Sequence, residues 1–340
     1  MSFQNPVFIP GPTNIPENLR KACDMPTIDH RSPLFGQILH PARAGVQKVL
    51  KSTSAEVFIF PSTGTGGWET ALTNTLSAGD TVLAARNGMF SQRWIDMCQR
   101  HGLNVTVVET PWGQGVPADR YTEILAADTG HQIKAVLATH NETATGVRSD
   151  IGAVRGALDA AGHPAMLFVD GVSSIGSMEF RFDDWGVDVA VTGSQKGFML
   201  PAGLGIVGFS AKAMEATKSA RLPRTFFDVH DMAKGYANNA YPYTPAVGLL
   251  NGLNTACGML LNEGLENVFA RHHRIAEGVR AAVGAWGLEL CAASPDLYSD
   301  TVSAIRTPQG FNATDIVTHA ADAYGVAFGV GLGEVAGKVF

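Results

Sequence analysis

The chain has 340 residues, of which 45% are hydrophobic and 16% charged, and its formal net charge is −6. This length and apolar content suit a compact protein with one large and one smaller domain, and they argue against disorder. The negative balance provides no basic footprint for nucleic acid or for an anionic membrane, so binding to either is not expected.

The four cysteines are far apart and show no CxxC spacing, so we interpret them as reduced core thiols rather than as disulfides or a metal site. The first residues, MSFQNPVFIPGPTN, lack the basic and long apolar regions of a signal peptide. No apolar run approaches the ~18 residues that would span a bilayer. We therefore expect a cytoplasmic protein without a membrane segment.

Seven short apolar segments with little internal polar alternation indicate strands of a sheet that is buried on both faces. They are residues 56–60, 81–85, 105–109, 134–139, 166–170, 187–192 and 204–209. Helical patterns such as 68–76 and 149–161 lie between them, which predicts an α/β fold with a seven-stranded, mainly parallel sheet. The link from Thr192 to Leu204 is too short for a packed crossover helix, so the last strand is predicted to run antiparallel.

The pattern of predicted elements changes from about residue 260. A long helix is predicted over 265–286, followed by short strands near 288–291, 302–305 and 326–328, which together indicate a small α+β domain. The expected organisation is an N-terminal arm (1–18), a large cofactor-binding domain (19–262) and a small C-terminal domain (263–340). Because the sequence stops at GEVAGKVF without a closing helix or polar tail, we expect this small domain to be incomplete.

A glycine-rich segment, PSTGTGG at 61–67, lies between a predicted strand and a helix that is predicted to open at Trp68. Glycines allow the backbone to approach an anion, and a helix N-terminus offers free N–H groups and the positive end of its dipole. The dinucleotide fingerprint GxGxxG fails because Glu69 replaces its third glycine, and no GxxxxGK[ST] occurs. The segment predicts a phosphate-binding loop, although alone it is equally typical of a tight turn.

Two further residues stand at strand ends. Asp170 is the last residue of a predicted buried strand, at the rim where open α/β sheets bind ligands. In isolation, an aspartate at this position is more typical of a helix cap or a turn. Lys196 follows another strand among small and apolar neighbours, which lower the pKa of a lysine and make its neutral amine nucleophilic, although in isolation it reads as a surface-turn lysine. Together with the loop, they are the three anchors of pyridoxal phosphate (PLP): a covalent lysine, an acid that keeps the pyridine nitrogen protonated, and a helix end for the phosphate. Phe90 could cover the ring face or simply pack in the core.

The other polar clusters give only weak support for a functional site. His272, His273 and Arg274 lie on the predicted long helix without HExxH spacing, which favours a solvated helix face over a metal site. Ser173 and Ser174 lie outside any GxSxG elbow, so a serine hydrolase has little support. We predict no metal site.

At this point a family resemblance becomes specific and extends over nearly the whole chain. In this order, the motifs resemble class V aminotransferases of the serine–glyoxylate and alanine–glyoxylate group, which are PLP enzymes of fold type I. The motifs are PGPT at 10–13, TGT at 63–65, NG at 87–88, THNET at 139–143, VDGVSS at 169–174, GSQK at 193–196 and YPYT at 241–244.

The resemblance implies roles for particular residues. Lys196 would bind PLP covalently and Asp170 would partner its ring nitrogen. Family members are homodimers, so one subunit's phosphate would also be reached by the other subunit's side chains. The remaining expected cofactor contacts are Thr63, Gly64, Thr65 and Gln195 around the phosphate, Phe90 stacked on the ring, Thr143 and Val172 at the ring or its substituents, and Tyr241 and Thr244 from the partner.

The resemblance also concerns the substrate carboxylate, which relatives bind through an arginine in a segment that would start directly after Phe340. Within the chain, Arg31 is the first alternative, because HRSP at 30–33 resembles the serine–glyoxylate branch and is expected near the substrate entrance. Arg221, Arg224 and Arg306 are the other internal candidates.

The implied reaction transfers the amino group of an L-amino acid to glyoxylate, giving glycine and a 2-oxo acid. L-Serine is the first expected donor, L-aspartate a close second and L-alanine the third. The sequence pattern does not firmly separate these donors, because donor choice depends on a few pocket side chains. Three alternatives stay open. A PLP lyase such as a cysteine desulfurase would need a loop cysteine, for which Cys291 is the only remote candidate, and Gln195 rather than histidine precedes Lys196. An NAD-dependent oxidoreductase lacks its fingerprint, and a non-catalytic binding protein would not need Lys196.

Overall fold

The computed structural model describes residues 6–340. Its strands are β1 (Val7–Phe8), β2 (Glu56–Ser62), β3 (Thr81–Arg86), β4 (Asn104–Glu109), β5 (Ile133–Thr139), β6 (Asn141–Glu142), β7 (Val147–Arg148), β8 (Met166–Asp170), β9 (Val189–Gly193), β10 (Gly203–Phe209), β11 (Glu289–Leu290), β12 (Ile305–Arg306) and β13 (Ala327–Phe328). Its α-helices are α1 (Glu17–Cys23), α2 (Pro33–Val49), α3 (Gly64–Thr75), α4 (Met89–Arg100), α5 (Ala118–Ala127), α6 (Ile151–Ala160), α7 (Ala211–Ala216), α8 (Val229–Ala237), α9 (Val247–Glu263), α10 (Leu265–Ala285) and α11 (Ala313–Tyr324). Within residues 6–340, no helix is long and apolar enough to cross a membrane.

The main sheet has seven strands in the order β2-β10-β9-β8-β5-β3-β4. All seven strands predicted from the apolar segments are present, and the sheet is mainly parallel as expected. β10 pairs antiparallel with both β2 and β9, which confirms the prediction from the short link before it. The α/β fold class is therefore confirmed.

The predicted start of the helix after the glycine-rich segment was wrong by four residues. α3 begins at Gly64 rather than at Trp68. Glycine disfavours helix by ~1 kcal/mol relative to alanine, which is why the sequence indicated a loop there. Packing overrides this preference: a Cβ at Gly67 would lie 2.6 Å from Val191 Cγ1 on β9, so only glycine lets the helix start so close to the sheet.

In the C-terminal part of the chain, the long helix and two of the three short strands lie where they were predicted, and the third strand is shifted. α10 ends at Ala285, with Trp286 as its C-cap, and β11 and β13 lie inside their predicted ranges. The strand expected at 302–305 was misplaced, because Val302 N donates to Ser299 Oγ (3.1 Å) in a turn and β12 begins only at Ile305. β1 pairs with β13, so the N-terminal segment joins the C-terminal part of the chain. The three-part division of the chain stays a prediction.

The sheet's buried strands converge on one edge. β8 and β9 are buried along their whole length, and β5 and β8 are in register so that Thr139 lies beside Asp170. β2, β5, β8 and β9 all point the same way, because β2 and β9 are both antiparallel to β10. Their carboxyl ends therefore place the segments after Ser62, Thr139, Asp170 and Gly193 at a common edge, where open α/β sheets bind ligands.

Candidate cofactor site

The N-terminus of α3 forms an open cup at this edge. Gly67 N donates to Thr63 O (3.1 Å), so the N–H groups of Gly64, Thr65 and Gly66 have no partner within the helix. The side chains of Thr63 and Thr65 are exposed, whereas Gly64 is buried. Free N–H groups at the positive end of a helix dipole suit a phosphate.

Val172 closes one side of the cup. A Cβ at Gly64 would lie 2.5 Å from Val172 Cγ2, so the two residues are in close contact only because Gly64 has no side chain. Val172 N donates to Asp170 Oδ1 (2.9 Å). The predicted phosphate cup and the predicted ring contact thus connect directly to the strand-end acid.

Asp170 is 4% exposed at the end of β8. Burial raises the pKa of its carboxyl to about 7, and the negative charge of Glu142 acts in the same direction. The hydrogen bond from Val172 N and the positive charge of Lys196 oppose this shift. Trp68 lies beside the carboxyl and also favours its ionised form, although its indole nitrogen has no hydrogen-bond partner among residues 6–340. Asp170 is therefore a carboxyl that a cationic partner would readily ionise.

Lys196 lies on the segment after β9 and is largely buried. Burial lowers the pKa of its amine below the ordinary lysine value, and the charge of Asp170 opposes this shift. Its Nζ donates to the carbonyl oxygen of Pro10, and a Cβ at Gly11 would lie 2.6 Å from Nζ. The PGPT motif therefore covers the lysine, a contact between residues 186 positions apart.

Several buried polar atoms around these groups have no hydrogen-bond partner within the described residues. They include Trp68 Nε1, Asn87 Oδ1 and Gln195 Oε1. Gln195 Oε1 lies near the start of α3, because a Cβ at Gly193 would approach both this oxygen (2.9 Å) and Gly64 N (3.3 Å). Free N–H groups, a buried acid, a buried amine and unpartnered polar atoms fit a ligand with a phosphate, a basic ring nitrogen and an aldehyde carbon. PLP has these three features.

Two other predicted contacts, Phe90 and Thr143, flank the same edge. Phe90 is half-buried in the first turn of α4, and Thr143 is buried with its Oγ1 donating to Ser173 Oγ (2.9 Å). Both lie beside Glu142, whose carboxylate accepts from Phe90 N at 3.0 Å. Glu142 is not among the predicted site residues, although an acid in a polar segment directly after a buried strand is a signal that could have indicated it.

A cleft of about 370 Å³ adjoins Lys196 on the side of α10. Arg271 and His272 line it, and neither was predicted as a site residue. Arg271 pairs with Glu263 through two hydrogen bonds of 2.7 and 3.0 Å. His272 and His273 were predicted to lie on a solvated helix face. This was wrong for His272, which α10 turns toward the cleft, so that it is half-buried and burial lowers its pKa. His273 is exposed, as predicted.

The residues predicted to serve a partner subunit lie in different surroundings. Thr244 is exposed, whereas Tyr241 is buried and its hydroxyl donates to Ile59 O of the same chain. Tyr241 also packs edge-on against Phe35, with ring centroids 5.7 Å apart. The single chain therefore keeps this hydroxyl inside the subunit, and its contact with a partner's phosphate stays a prediction.

The internal arginines differ in whether their guanidinium groups already have partners within the chain. Arg31 is exposed and does not line the cleft beside Lys196. Arg224 pairs with Asp228 (3.0 Å), and Arg306 donates to Cys291 O (3.4 Å). A role for Arg31 at the substrate carboxylate stays a prediction.

The alternative chemistries receive no support from side-chain placement. Cys291 is buried in a small cluster with Ala304, Val335 and Val339, and burial raises the pKa of its thiol, so the thiol is not activated for attack. All four cysteines are free thiols. Among residues 6–340, no group of three or more His, Cys, Asp or Glu side chains could hold a metal ion.

Comparisons with known proteins agree with this geometry. The sequence model of the family "Aminotransferase class-V" matches residues 21–334. The chain is 77% identical over 340 residues to an L-aspartate–glyoxylate aminotransferase of Paracoccus denitrificans, covering 100% of this chain and 86% of that protein. It is 56% identical over 336 residues to a serine–glyoxylate aminotransferase of Hyphomicrobium methylovorum, covering 98% and 83%.

The fold comparison agrees. The crystal structure of an alanine–glyoxylate aminotransferase from Nostoc sp. superposes with a TM-score of 0.93 at 26% identity, covering 100% of this chain and 89% of that one. A cysteine desulfurase from Thermococcus onnurineus matches with a TM-score of 0.72 at 15% identity, which shows a shared fold alone. The chain therefore belongs to the class V aminotransferases and is a PLP-dependent transaminase of fold type I.

Proposed function

We propose that this transaminase moves the amino group of L-aspartate or L-serine to glyoxylate, giving glycine and oxaloacetate or hydroxypyruvate. The observation that carries the proposal is the buried pair of Lys196 and Asp170 beside the α3 cup, with both pKa values displaced by burial. The choice of substrates draws on the relatives at 77% and 56% identity, whose names give aspartate and serine as donors. The motifs alone favour L-serine as donor, whereas the relative at 77% identity makes L-aspartate the first donor to assay.

Asp170 would hold the cofactor's ring nitrogen in its protonated form. Its carboxyl lies in surroundings that disfavour an isolated negative charge, as its raised pKa indicates, so a cationic ring nitrogen in contact with it is strongly favoured. Bound PLP supplies an electron sink for the electron pair released at the donor's Cα. Asp170 sustains that capacity by keeping the nitrogen charged.

Lys196 would first hold the cofactor covalently and then act as the proton carrier. The lowered pKa of its amine favours the neutral form, which is needed both for attack on a carbonyl carbon and for removing a proton from the donor's Cα. The Pro10 carbonyl, which accepts from Nζ, orients the amine before it reacts.

The other contacts would position the cofactor. We assign the phosphate to the N–H groups and side chains of Thr63, Gly64 and Thr65, with Gln195 beside them. Phe90 and Val172 would hold the two faces of the ring, and Thr143 its substituents. These assignments are supported by the open helix end, the Gly64–Val172 contact and the unpartnered Gln195 oxygen.

We further propose that the enzyme is a cytoplasmic homodimer with shared sites. Support comes from the exposed Thr63, Thr65 and Thr244, because the cup is open to solvent in a single chain. Tyr241 would have to exchange its hydrogen bond to Ile59 O for the partner's phosphate. Arg31 is our candidate within the chain for the substrate carboxylate, because a planar guanidinium binds a carboxylate through two parallel hydrogen bonds.

A donor-by-acceptor assay tests the proposal directly. L-Aspartate, L-serine, L-alanine and L-cysteine would each be incubated with the PLP-loaded enzyme and glyoxylate, pyruvate or 2-oxoglutarate, and both products would be quantified by mass spectrometry. We expect equal amounts of glycine and of oxaloacetate or hydroxypyruvate. Preferred transfer to another acceptor, or sulfur release from L-cysteine without an acceptor, would contradict the assignment.

A further inference from the structure

Glu142 is a fully buried carboxylate beside the site that no step of the reaction above uses. It follows β5 and forms β6 with Asn141, at the same sheet edge as Asp170. Burial raises the pKa of its carboxyl, and backbone N–H groups oppose this shift. A buried acid needs such partners, and the identity of the partners indicates its role.

Backbone N–H groups of two segments hold this carboxylate, and the Ser91 hydroxyl beside it likewise lowers its pKa. Phe90 N donates to Oε2 (3.0 Å), Ser91 N to Oε2 (3.0 Å) and Ala144 N to Oε1 (3.1 Å). The first two donors belong to the first turn of α4, where N–H groups have no helix partner. Glu142 therefore caps α4 from a position some 50 residues farther along the chain.

The local sequence leaves this cap to Glu142. The residue before α4 is Gly88, which has no side-chain oxygen of its own. A Cβ at Gly88 would lie 2.2 Å from Glu142 Cγ, so the glycine also makes the space that the carboxylate occupies. The φ of Gly88 is 174°, an extended value open to any residue, so space is the reason for glycine here.

The contact joins two segments that carry proposed cofactor contacts. Its α4 side holds the backbone of Phe90, and its other side holds the turn that contains Thr143. Thr143 is tied in turn to Ser173, the neighbour of Val172. A shift of the carboxylate would move Phe90 relative to Val172, the two residues proposed above to hold the faces of the cofactor ring, and would so change the slot that the ring would occupy.

We propose that Glu142 is a positioning residue that sets the slot for the cofactor ring by fixing Phe90 and Thr143 to each other. This inference rests on the proposed roles of Phe90 and Thr143. It goes beyond them by assigning cofactor affinity to a side chain that does not touch the cofactor.

The test measures PLP binding to the apoprotein. Glu142→Gln keeps the shape but turns an amide N–H₂ toward backbone donors, so at least one hydrogen bond to a charged group is lost. We expect the Kd for PLP to rise about tenfold. The matched control is Asp150→Asn, because Asp150 Oδ1 caps α6 through Ala153 N (2.9 Å) away from the slot; its Kd should change less than about twofold.

Two readouts separate positioning from stability. Trp94 on α4 stacks on Trp68 of α3 with ring centroids 5.7 Å apart, so near-ultraviolet circular dichroism of the apoprotein should change in Glu142→Gln and not in Asp150→Asn. In a Phe90→Leu background, the effect of Glu142→Gln on the Kd should fall to about threefold or less, because the residue acts through Phe90.

The outcomes are decisive. An unchanged Kd, or the same loss with leucine at position 90, would overturn the proposal. If Glu142→Gln does not fold, Gly88→Ala displaces the same carboxylate and is judged by the same outcomes. A wild-type chain that binds no PLP would instead refute the proposed function, so the two failures are distinguishable.

Discussion

Lys196 and Asp170 each oppose the effect of burial on the other. Burial lowers the pKa of the lysine amine and raises that of the aspartate carboxyl, and each residue's charge acts on its partner in the reverse direction. The charge of each residue therefore reduces the pKa shift that burial causes in the other. A ligand that binds one residue covalently and brings a positive charge to the other changes both at once.

The first prediction concerns the covalent anchor. Lys196→Ala should abolish turnover, since the chain would lose both its proposed covalent contact to PLP and its proposed proton carrier. Borohydride reduction of the loaded wild-type enzyme, followed by peptide mapping, should label Lys196 alone. Lys212→Ala is the matched control. Lys212 follows the carboxyl end of β10, at the sheet edge opposite the site, and pairs with Asp188 (3.4 Å). Its loss should leave labelling and turnover nearly unchanged. A label on any other lysine contradicts the assignment.

The second prediction concerns the ring nitrogen. Asp170→Asn keeps the acceptor for Val172 N but removes the negative charge, so kcat should fall on the order of 10²-fold or more. Steady-state kinetics with L-aspartate and glyoxylate would measure this. Asp188→Asn, another buried aspartate, should lose stability and little kcat, because it bonds Leu167 N and Ser210 Oγ away from the site. A near-normal kcat in Asp170→Asn would refute its role.

The third prediction is that Asp170→Asn, which lowers kcat, should raise the stability of the apoprotein at high pH. The folded-state pKa of about 7 lies above the ordinary value, so the folded protein holds this proton more tightly than the unfolded chain does. Its contribution to stability is complete below about pH 4 and is lost as the pH rises through 7. Apo Asp170→Asn should therefore be more stable than wild type at pH 8, by on the order of 3 kcal/mol, with a smaller difference at pH 5. Urea unfolding at both pH values measures this, and a destabilised variant at pH 8 would show that the carboxyl is not strained there.

How far the sequence predicts this site depends on the distance between the residues that form it. The seven strands, the antiparallel β10, and the positions of Asp170 and Lys196 follow from local runs of apolar residues. The start of α3 does not, because the contact between Gly67 and Val191 outweighs local helix propensity. The hydrogen bonds from Phe90 N to the Glu142 carboxylate and from Lys196 Nζ to Pro10 O join segments far apart in the chain, and no local pattern encodes them.

The fourth prediction concerns a shared site. Lys196→Ala and the double variant Tyr241→Ala, Thr244→Ala should each be inactive, but a hybrid dimer contains one site with every part intact. Mixing after mild unfolding and reassembly should recover about a quarter of wild-type activity, since half of the random dimers are hybrids with one working site. No recovery, together with a fully active monomer by light scattering, would contradict the shared site.

The last prediction concerns the close approach of α3 to the sheet. In Gly67→Ala, the new Cβ would lie 2.6 Å from Val191 Cγ1 and 3.4 Å from Val207 Cγ1. Both valines are buried in the sheet, so the start of the helix must move outward and carry the N–H groups of Gly64 and Thr65 with it. We expect a loss of about 1–3 kcal/mol in stability from overpacking and a weaker affinity for PLP and for inorganic phosphate. Gly156→Ala is the control: it lies exposed in α6 with nothing within 4 Å of the new Cβ, and should stabilise the protein by about 0.5–1 kcal/mol without changing either affinity. Calorimetry on both variants separates the outcomes, and a Gly67→Ala protein that binds PLP as tightly as wild type would show that the cup does not depend on this contact.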